Sequence, residues 1–232
     1  LNNNNNNNNN NVCQEYLDRI DEGYTTNYLL NFAAARLSYS LGKNDYCLKV
    51  LENRPSAVGK YPFFYLDYLQ GMSYLYKLDY ENSKRYFNYY IDNYKGANYI
   101  KSSYHKLAWI SELQDDTIKK INYFEKVISE GNESIDIDKV ALKDAKANYI
   151  SHLILLRTRL LYDGGYYKSA FNEIYNIKTI KTYTDYLDEY WYRLARIKSK
   201  LNFNNTEIIS NYQKSAELSE KSTNYYGPMS VL

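Results

Sequence analysis

Proline and glycine are scarce in this chain, three and nine among 232 residues. So few turn formers leave little room for the tight connections of β-rich folds, and no segment alternates with period two over a useful length. Cysteine is scarcer still. Cys13 and Cys47 lack C-x-x-C spacing and a neighbouring histidine, so they read as packing residues or as one disulfide, and they assign no compartment. His105 and His152 are the only histidines. Neither has a second His or a Cys at metal-ligand spacing, so no metal, cofactor or catalytic role is expected for them. Apolar runs are short: the longest, over residues 150–156, is interrupted by Ser151 and His152. That is far below the ~20 residues of a membrane-spanning helix, and no such span is expected. Neither sign of charge dominates. Lys and Arg number 29 against 27 Asp and Glu, mixed along the chain, and the absence of a basic stripe argues against a nucleic-acid partner.

What the chain has in excess is tyrosine, 30 residues beside 7 Phe and 2 Trp. A tyrosine buries a large ring and keeps a hydroxyl that can reach water or a carbonyl, which suits thin two-layer helical stacks. Asn, Lys and Ile are enriched with it, so codon bias of an AT-rich genome accounts for most of the excess. Residues 2–11 are all asparagine. Such a tract has no apolar face to repay ordering entropy, and it is expected to be disordered or a placeholder for unread sequence.

Beyond the tract the helical period takes over. The pattern predicts a first helix from Tyr28 that stops at Gly42, then helices over 46–52, from about Pro62 to Lys77, from Asp79 to Tyr94, over 98–113 and over 117–129. It weakens over 132–139 and predicts one long helix over 140–162, broken by Gly164 and Gly165. Helices over 167–177, 183–201 and 207–221 follow. Grouped in pairs, these give repeats at about 28–54, 61–95, 98–130, 140–178 and 183–221, with a further one opening at 225.

The pairs share a recurring set: Gly71, Tyr74, Ser83, Phe87 and Tyr90 in one, Tyr104, Leu107, Ala108, Phe124 and Val127 in the next. With Ala170 and Ile174 in the fourth, Leu194, Ala195, Tyr212 and Ser215 in the fifth and Ala35 in the first, this resembles the tetratricopeptide repeat. That family places small residues where its two helices cross and larger ones in the adjoining grooves. Lys120 and Thr158 depart from the pattern. The spacing is about 36 to 37 residues, but about 50 between the third and fourth copies, where longer helices or an inserted loop are expected. The Lys77–Tyr80 turn, the Tyr94–Gly96 linker and Tyr225–Pro228 resemble bacterial tetratricopeptide proteins of unassigned role, and more weakly the tetratricopeptide repeat protein 39 family. The resemblance implies an all-α, right-handed superhelical solenoid and a chain cut within a sixth repeat.

Catalytic signatures are missing. No serine sits in a nucleophile elbow, and Gly164-Gly165 follows a helix rather than a strand. Asp136-Ile137-Asp138 opens like a calcium loop, but Ala141 and Ala147 stand where its glycine and closing acid belong. The resemblance instead implies a non-enzymatic scaffold whose concave groove holds a peptide or protein segment. Its groove-lining positions fall on Tyr65, Tyr68 and Met72 in the second repeat and on His105 and Trp109 in the third. In the fourth they fall on Arg159, and in the fifth on Tyr192, Arg193 and Arg196. Aromatic rings beside arginines suit apolar anchors and acidic groups. The Lys/Asn clamp of some relatives is replaced by Tyr65, Tyr68, Leu69 and Met72. A second reading makes the chain the regulatory or sensor part of a larger enzyme or transcription regulator. An RNA-reading helical repeat is a third, disfavoured by the balanced charge.

Overall fold

Five times in the structure, a computed structural model, the chain reverses between two helices through the same backbone device. Residues 15, 25–55, 63–175, 186–219 and 229–230 are described. The asparagine tract, Cys13, Gly59, Pro62, residues 176–185 and 220–221 and the Tyr225–Pro228 turn lie outside them. Among the described residues there are eleven α-helices and no strand, in two compact units, residues 1–150 and 151–232. The first unit holds α1 (Tyr28–Ser40), α2 (Asn44–Glu52), α3 (Tyr65–Tyr76), α4 (Tyr80–Asn93), α5 (Ile100–Leu113), α6 (Thr117–Ser129) and α7 (Asp136–Lys146). The second holds α8 (Leu153–Asp163), α9 (Tyr167–Tyr175), α10 (Leu187–Lys200) and α11 (Asn205–Ser219).

The helices pack as sequential pairs: α1 with α2, α3 with α4, α5 with α6, α8 with α9 and α10 with α11. Each pair turns on one left-handed residue placed two positions after its first helix. These are Gly42 (φ +66°), Leu78 (+61°), Asp115 (+59°), Gly165 (+84°) and Asn202 (+57°). Around each, the next amide reaches back to a carbonyl of the helix's last turn: Lys43 to Ser38 (2.9 Å), Asp79 to Tyr74 (3.0 Å), Asp116 to Ser111 (2.8 Å), Tyr166 to Leu161 (2.9 Å) and Phe203 to Lys198 (3.1 Å). This is the Schellman arrangement, which satisfies carbonyls that a helix end would otherwise leave open. The turn then feeds directly into the second helix, where the Asp79 and Asp116 side chains cap α4 and α6.

Small residues twelve positions apart mark the crossings. Ala35 faces Cys47, and Gly71 faces Ser83, and all four are buried. In both pairs the second residue donates to the first one's carbonyl, Cys47 Sγ to Ala35 at 3.4 Å and Ser83 Oγ to Gly71 at 2.9 Å. A Cβ on Gly71 would stand 2.9 Å from the Phe87 ring, so that ring seals the crossing only against glycine. Thr158 and Ala170 repeat the spacing in the second unit, both fully buried. Lys120 breaks the series in α6, and its ammonium turns to Glu112 at 2.9 Å. Around the crossings, Leu51, Phe87, Leu107, Val127, Leu156 and Ile174 are essentially inaccessible, each contributing about 2 kcal/mol by leaving water.

One predicted element is corrected. The single helix expected over 140–162 is two, α7 and α8, separated by residues 147–152. Asn148 is left-handed at φ +47°, and Tyr149 N–H closes α7 onto the Asp144 carbonyl at 2.9 Å. His152 then runs extended (φ −49°, ψ 129°) into α8. Asparagine tolerates this conformation without announcing it as glycine would. The 50-residue interval between the third and fourth pairs therefore contains an extra helix, which packs on both α5 and α6. No described helix is long and apolar enough to cross a membrane.

The turn makes a clean test, because Asp115 is exposed. Asp115→Gly should add about 0.5–1 kcal/mol of stability and raise the melting temperature, whereas Asp115→Val should lower it. Equal melting temperatures would mean that the turn geometry is not a constraint. A second test concerns alkali. Burial pushes the Cys47 thiol from 9.0 up to about 11, and Tyr74, through burial and its bond to Glu52, from 10.0 up to about 12. Burial also raises Tyr68 and Tyr90 well above the usual phenol range. The unfolded chain releases these protons first, so their stabilisation is complete below about pH 9 and is lost as pH rises through 11 to 12. Exposed rings such as Tyr89, Tyr149 and Tyr175 ionise while the helices are intact, and a second rise in tyrosinate absorbance should then coincide with loss of helicity. Full tyrosinate absorbance with intact helices would contradict the buried hydroxyls.

Candidate functional site

A concavity in the first unit is built mainly from helix ends and linkers, with one helix middle beside them. It is a pocket of about 300 Å³ lined by Phe32, Arg36, Phe63, Phe64, Tyr65, Tyr90, Tyr94, Asn98 and Tyr99. Phe32 and Arg36 sit one turn apart on α1. Residues 63–65 start α3, Tyr90 and Tyr94 end α4, and Asn98 and Tyr99 lead into α5. Three successive helix pairs thus contribute walls. The size is at the lower end for ligand pockets, and the lining is mostly aromatic with few polar groups.

The rings support one another. Phe63 lies against Phe32 (4.8 Å between centroids) and stacks on Tyr28 (5.1 Å), while Tyr90 stacks on Tyr94 (5.0 Å). Tyr65 meets Tyr99 at 5.0 Å, and Tyr99 meets the buried Tyr68 at 4.7 Å. The Tyr90 hydroxyl donates to the Asn98 carbonyl at 2.8 Å, fixing the floor. At Gly96 a Cβ would fall 2.4 Å from the Tyr94 ring, so only glycine lets that ring lie against the linker.

Tyr99 carries the backbone strain of this region. It is left-handed at φ +61°, an unusual state for an aromatic residue, costing on the order of 1–2 kcal/mol. Asp138 on α7 compensates. Its fully buried carboxylate accepts from the backbone amides of Tyr99 (2.7 Å) and Ser102 (2.8 Å), capping α5 from another helix. Burial pushes its pKa up, against the two amide bonds and the Lys101 charge, which hold it down. The second acid of the Asp136-Ile137-Asp138 segment therefore secures a pocket wall.

Arg36 is the charged member of the lining. Its guanidinium stands 5.9 Å over the Phe32 ring and 5.8 Å over Tyr65, and its field lowers the Tyr65 hydroxyl pKa against the larger effect of burial. The side chain is exposed and meets no carboxylate among the described residues. Arg54, Arg157 and Arg193 differ, being paired with Asp67, Glu173 and Glu189.

Of the residues expected to line a groove, Tyr65 alone borders this pocket. Tyr68 is buried beneath it, its hydroxyl sharing a 2.8 Å hydrogen bond with Ser102 Oγ. Met72 is buried in α3. His105 and Trp109 are buried together in α5, the indole N–H donating to His105 Nε2 at 3.0 Å, with the Lys106 ammonium 3.4 Å over the indole. In the second unit Arg159, Arg193 and Arg196 converge on a cleft of about 10 Å³, room for a single water. Tyr192 and Arg193 are buried, and Arg196 lies over Tyr162 at 4.4 Å. Phe32, Arg36, Phe63, Phe64, Tyr94, Asn98 and Tyr99 were not singled out from sequence. The available signal was the clustering of Phe63-Phe64-Tyr65 and of Tyr94 and Tyr99 about one linker.

The described residues form packed helical hairpins with an aromatic cavity and, at its edge, an arginine that meets no carboxylate among them. No known family model matches the chain, and comparison with curated proteins finds no match.

Asp138→Ala should cost about 2–4 kcal/mol in urea unfolding, because two largely buried amides lose their acceptor. Asp138→Asn should cost less, since its single amide oxygen can serve one of them. If both variants are as stable as the parent, the cap does not hold Tyr99.

Proposed function

We propose that the chain is a non-enzymatic interaction scaffold of the tetratricopeptide type, a right-handed superhelical solenoid that holds an extended segment of a partner protein. The aromatic pocket carries this reading. Its walls are stacked, hydrogen-bonded and set by a strained residue, so an entering side chain would find a surface already ordered and would not have to supply that ordering itself. Strained backbone kept in place by surrounding structure is a recurring mark of ligand sites. The recurrence of paired helices at 36- and 37-residue intervals supports the solenoid.

A non-catalytic role is supported by the lining. Burial raises the Tyr65 and Tyr90 hydroxyls above 10.0, and no Asp, Glu, His or Cys is among the lining residues, so the lining offers recognition rather than proton transfer near neutrality.

This pocket is supported as the scaffold's binding surface by burial along the middle of the first helices. Most of the side chains there, Tyr68, Met72, His105 and Trp109 among them, are covered. On a random heptapeptide array the protein should retain a subset of sequences bearing an aromatic or large aliphatic residue. Phe64→Ala and Tyr94→Ala should each weaken that retention about tenfold while preserving helicity. Retention unchanged in both variants would move the surface elsewhere, and an array that captures nothing would remove the peptide-binding reading.

A further inference from the structure

Arg36 gives the pocket a sign. We infer that it selects an internal peptide segment in which an aromatic side chain lies within two residues of an aspartate or glutamate, the ring entering the cavity and the carboxylate meeting the Arg36 guanidinium at its edge. The inference rests on the scaffold reading above and adds the chemistry of the occupant.

Three observations carry it. The cavity of about 300 Å³ has room for one large side chain, and its rings present faces and edges to whatever enters. Arg36 is exposed beside that opening and unmatched by a carboxylate among the described residues, with its planar donors unused by any hydrogen bond there. A planar guanidinium of this kind takes a carboxylate through two parallel hydrogen bonds, and this one stands 5.9 Å from the Phe32 ring centroid and 5.8 Å from that of Tyr65, at the edge of the cavity.

The same geometry disfavours the alternative that a ring of aromatic residues first suggests. Such cages often hold a cation against their faces. Here the faces of Phe32 and Tyr65 already carry the cation of the protein itself, and a ligand ammonium would meet like charge at the entrance. Among the lining residues there is no acidic group to offset it.

The test uses the full chain and four peptides blocked at both ends, so that no terminal charge contributes. The reference is acetyl-Ser-Phe-Ser-Asp-Ser-amide; the others change its Asp to Asn, its Asp to Lys or its Phe to Ala. Binding is followed by nuclear magnetic resonance titration of the isotope-labelled protein at two salt concentrations. The reference should bind best, with the Asn peptide about tenfold weaker, the Lys peptide weaker again and the Ala peptide without measurable shifts. Raising the salt should narrow the gap between the Asp and Asn peptides. Arg36→Gln, an exposed substitution, should leave the melting temperature unchanged and bring the Asp and Asn peptides to equal affinity.

An Asp preference that survives in Arg36→Gln overturns the assignment of Arg36. Tighter binding of the Lys peptide overturns the sign of the site in favour of a cation cage. Equal binding of the Asp, Asn and Lys peptides overturns the charge selection but leaves the aromatic peptide-binding scaffold standing. If no peptide shifts a pocket resonance and the array also captures nothing, both readings fall.

Discussion

An antiparallel helix pair can form only if the chain reverses within a few residues and the carbonyls closing the first helix still find partners. Here one left-handed residue meets both demands. It bends the backbone toward the second helix and turns the following amide back onto the first. The side chains twelve residues apart can then face each other across a close crossing, as Ala35 and Cys47 or Gly71 and Ser83 do. Change the turn and the register of the small residues is lost, and with it the seat of Phe87 and its counterparts. The composition of the turn matters less than its conformation: glycine occupies it twice, and Leu78, Asp115 and Asn202 accept the strain elsewhere.

Tyrosine does what leucine does in most helical stacks, with an added constraint. Each buried ring brings a hydroxyl that must be matched, and the matches join neighbouring pairs. Tyr39 meets Tyr76 at 2.7 Å, Tyr68 meets Ser102, and Tyr90 reaches Asn98. A side-chain amide makes a similar link, Asn44 to the Ser73 carbonyl at 2.8 Å, while Asn31 ties the two helices of the first pair through the Val50 carbonyl, also at 2.8 Å. Stacking of one hairpin on the next is thereby specified by polar contacts as well as by shape. Where the rings converge but do not close, around Tyr65, Tyr94 and Tyr99, a cavity remains.

The helices were legible because periodicity and turn residues agreed: Gly42, Asp79, Thr117 and Gly165 mark boundaries in sequence and structure alike. The break between α7 and α8 was not, since residues 140–162 keep a helical apolar pattern and the interruption over 147–152 turns on an asparagine in a conformation it adopts without local warning. The site was harder. Position along a repeat identifies a face of a helix, but whether that face meets solvent or another helix depends on packing that a single strand of text does not contain. Tyr68 and Trp109 lie on the expected face and are covered. The pocket is made by residues at helix ends and in linkers, such as Phe63, Tyr94 and Asn98, where no helical period applies. Arg36 stands on a helix, yet its isolation from acids becomes visible only when α1 and α3 are brought together. Asp138, 39 residues beyond Tyr99, is a long-range cap of a kind that local sequence rules do not reach.

Because its walls come from three consecutive hairpins, the pocket exists only while those hairpins are stacked. In a repeat protein, where each unit is held mainly by its neighbours, partial opening from one end is an accessible excursion. Separation of α1 from α3 would carry Phe32 and Arg36 away from Tyr65 and dismantle the cavity before the rest of the unit unfolded. A bound segment would oppose that excursion by mass action and would act as a local staple on the first two hairpins. Occupancy would then be written into the exchange rates of backbone amides in α1 and α2, which touch none of the ligand themselves beyond two side chains.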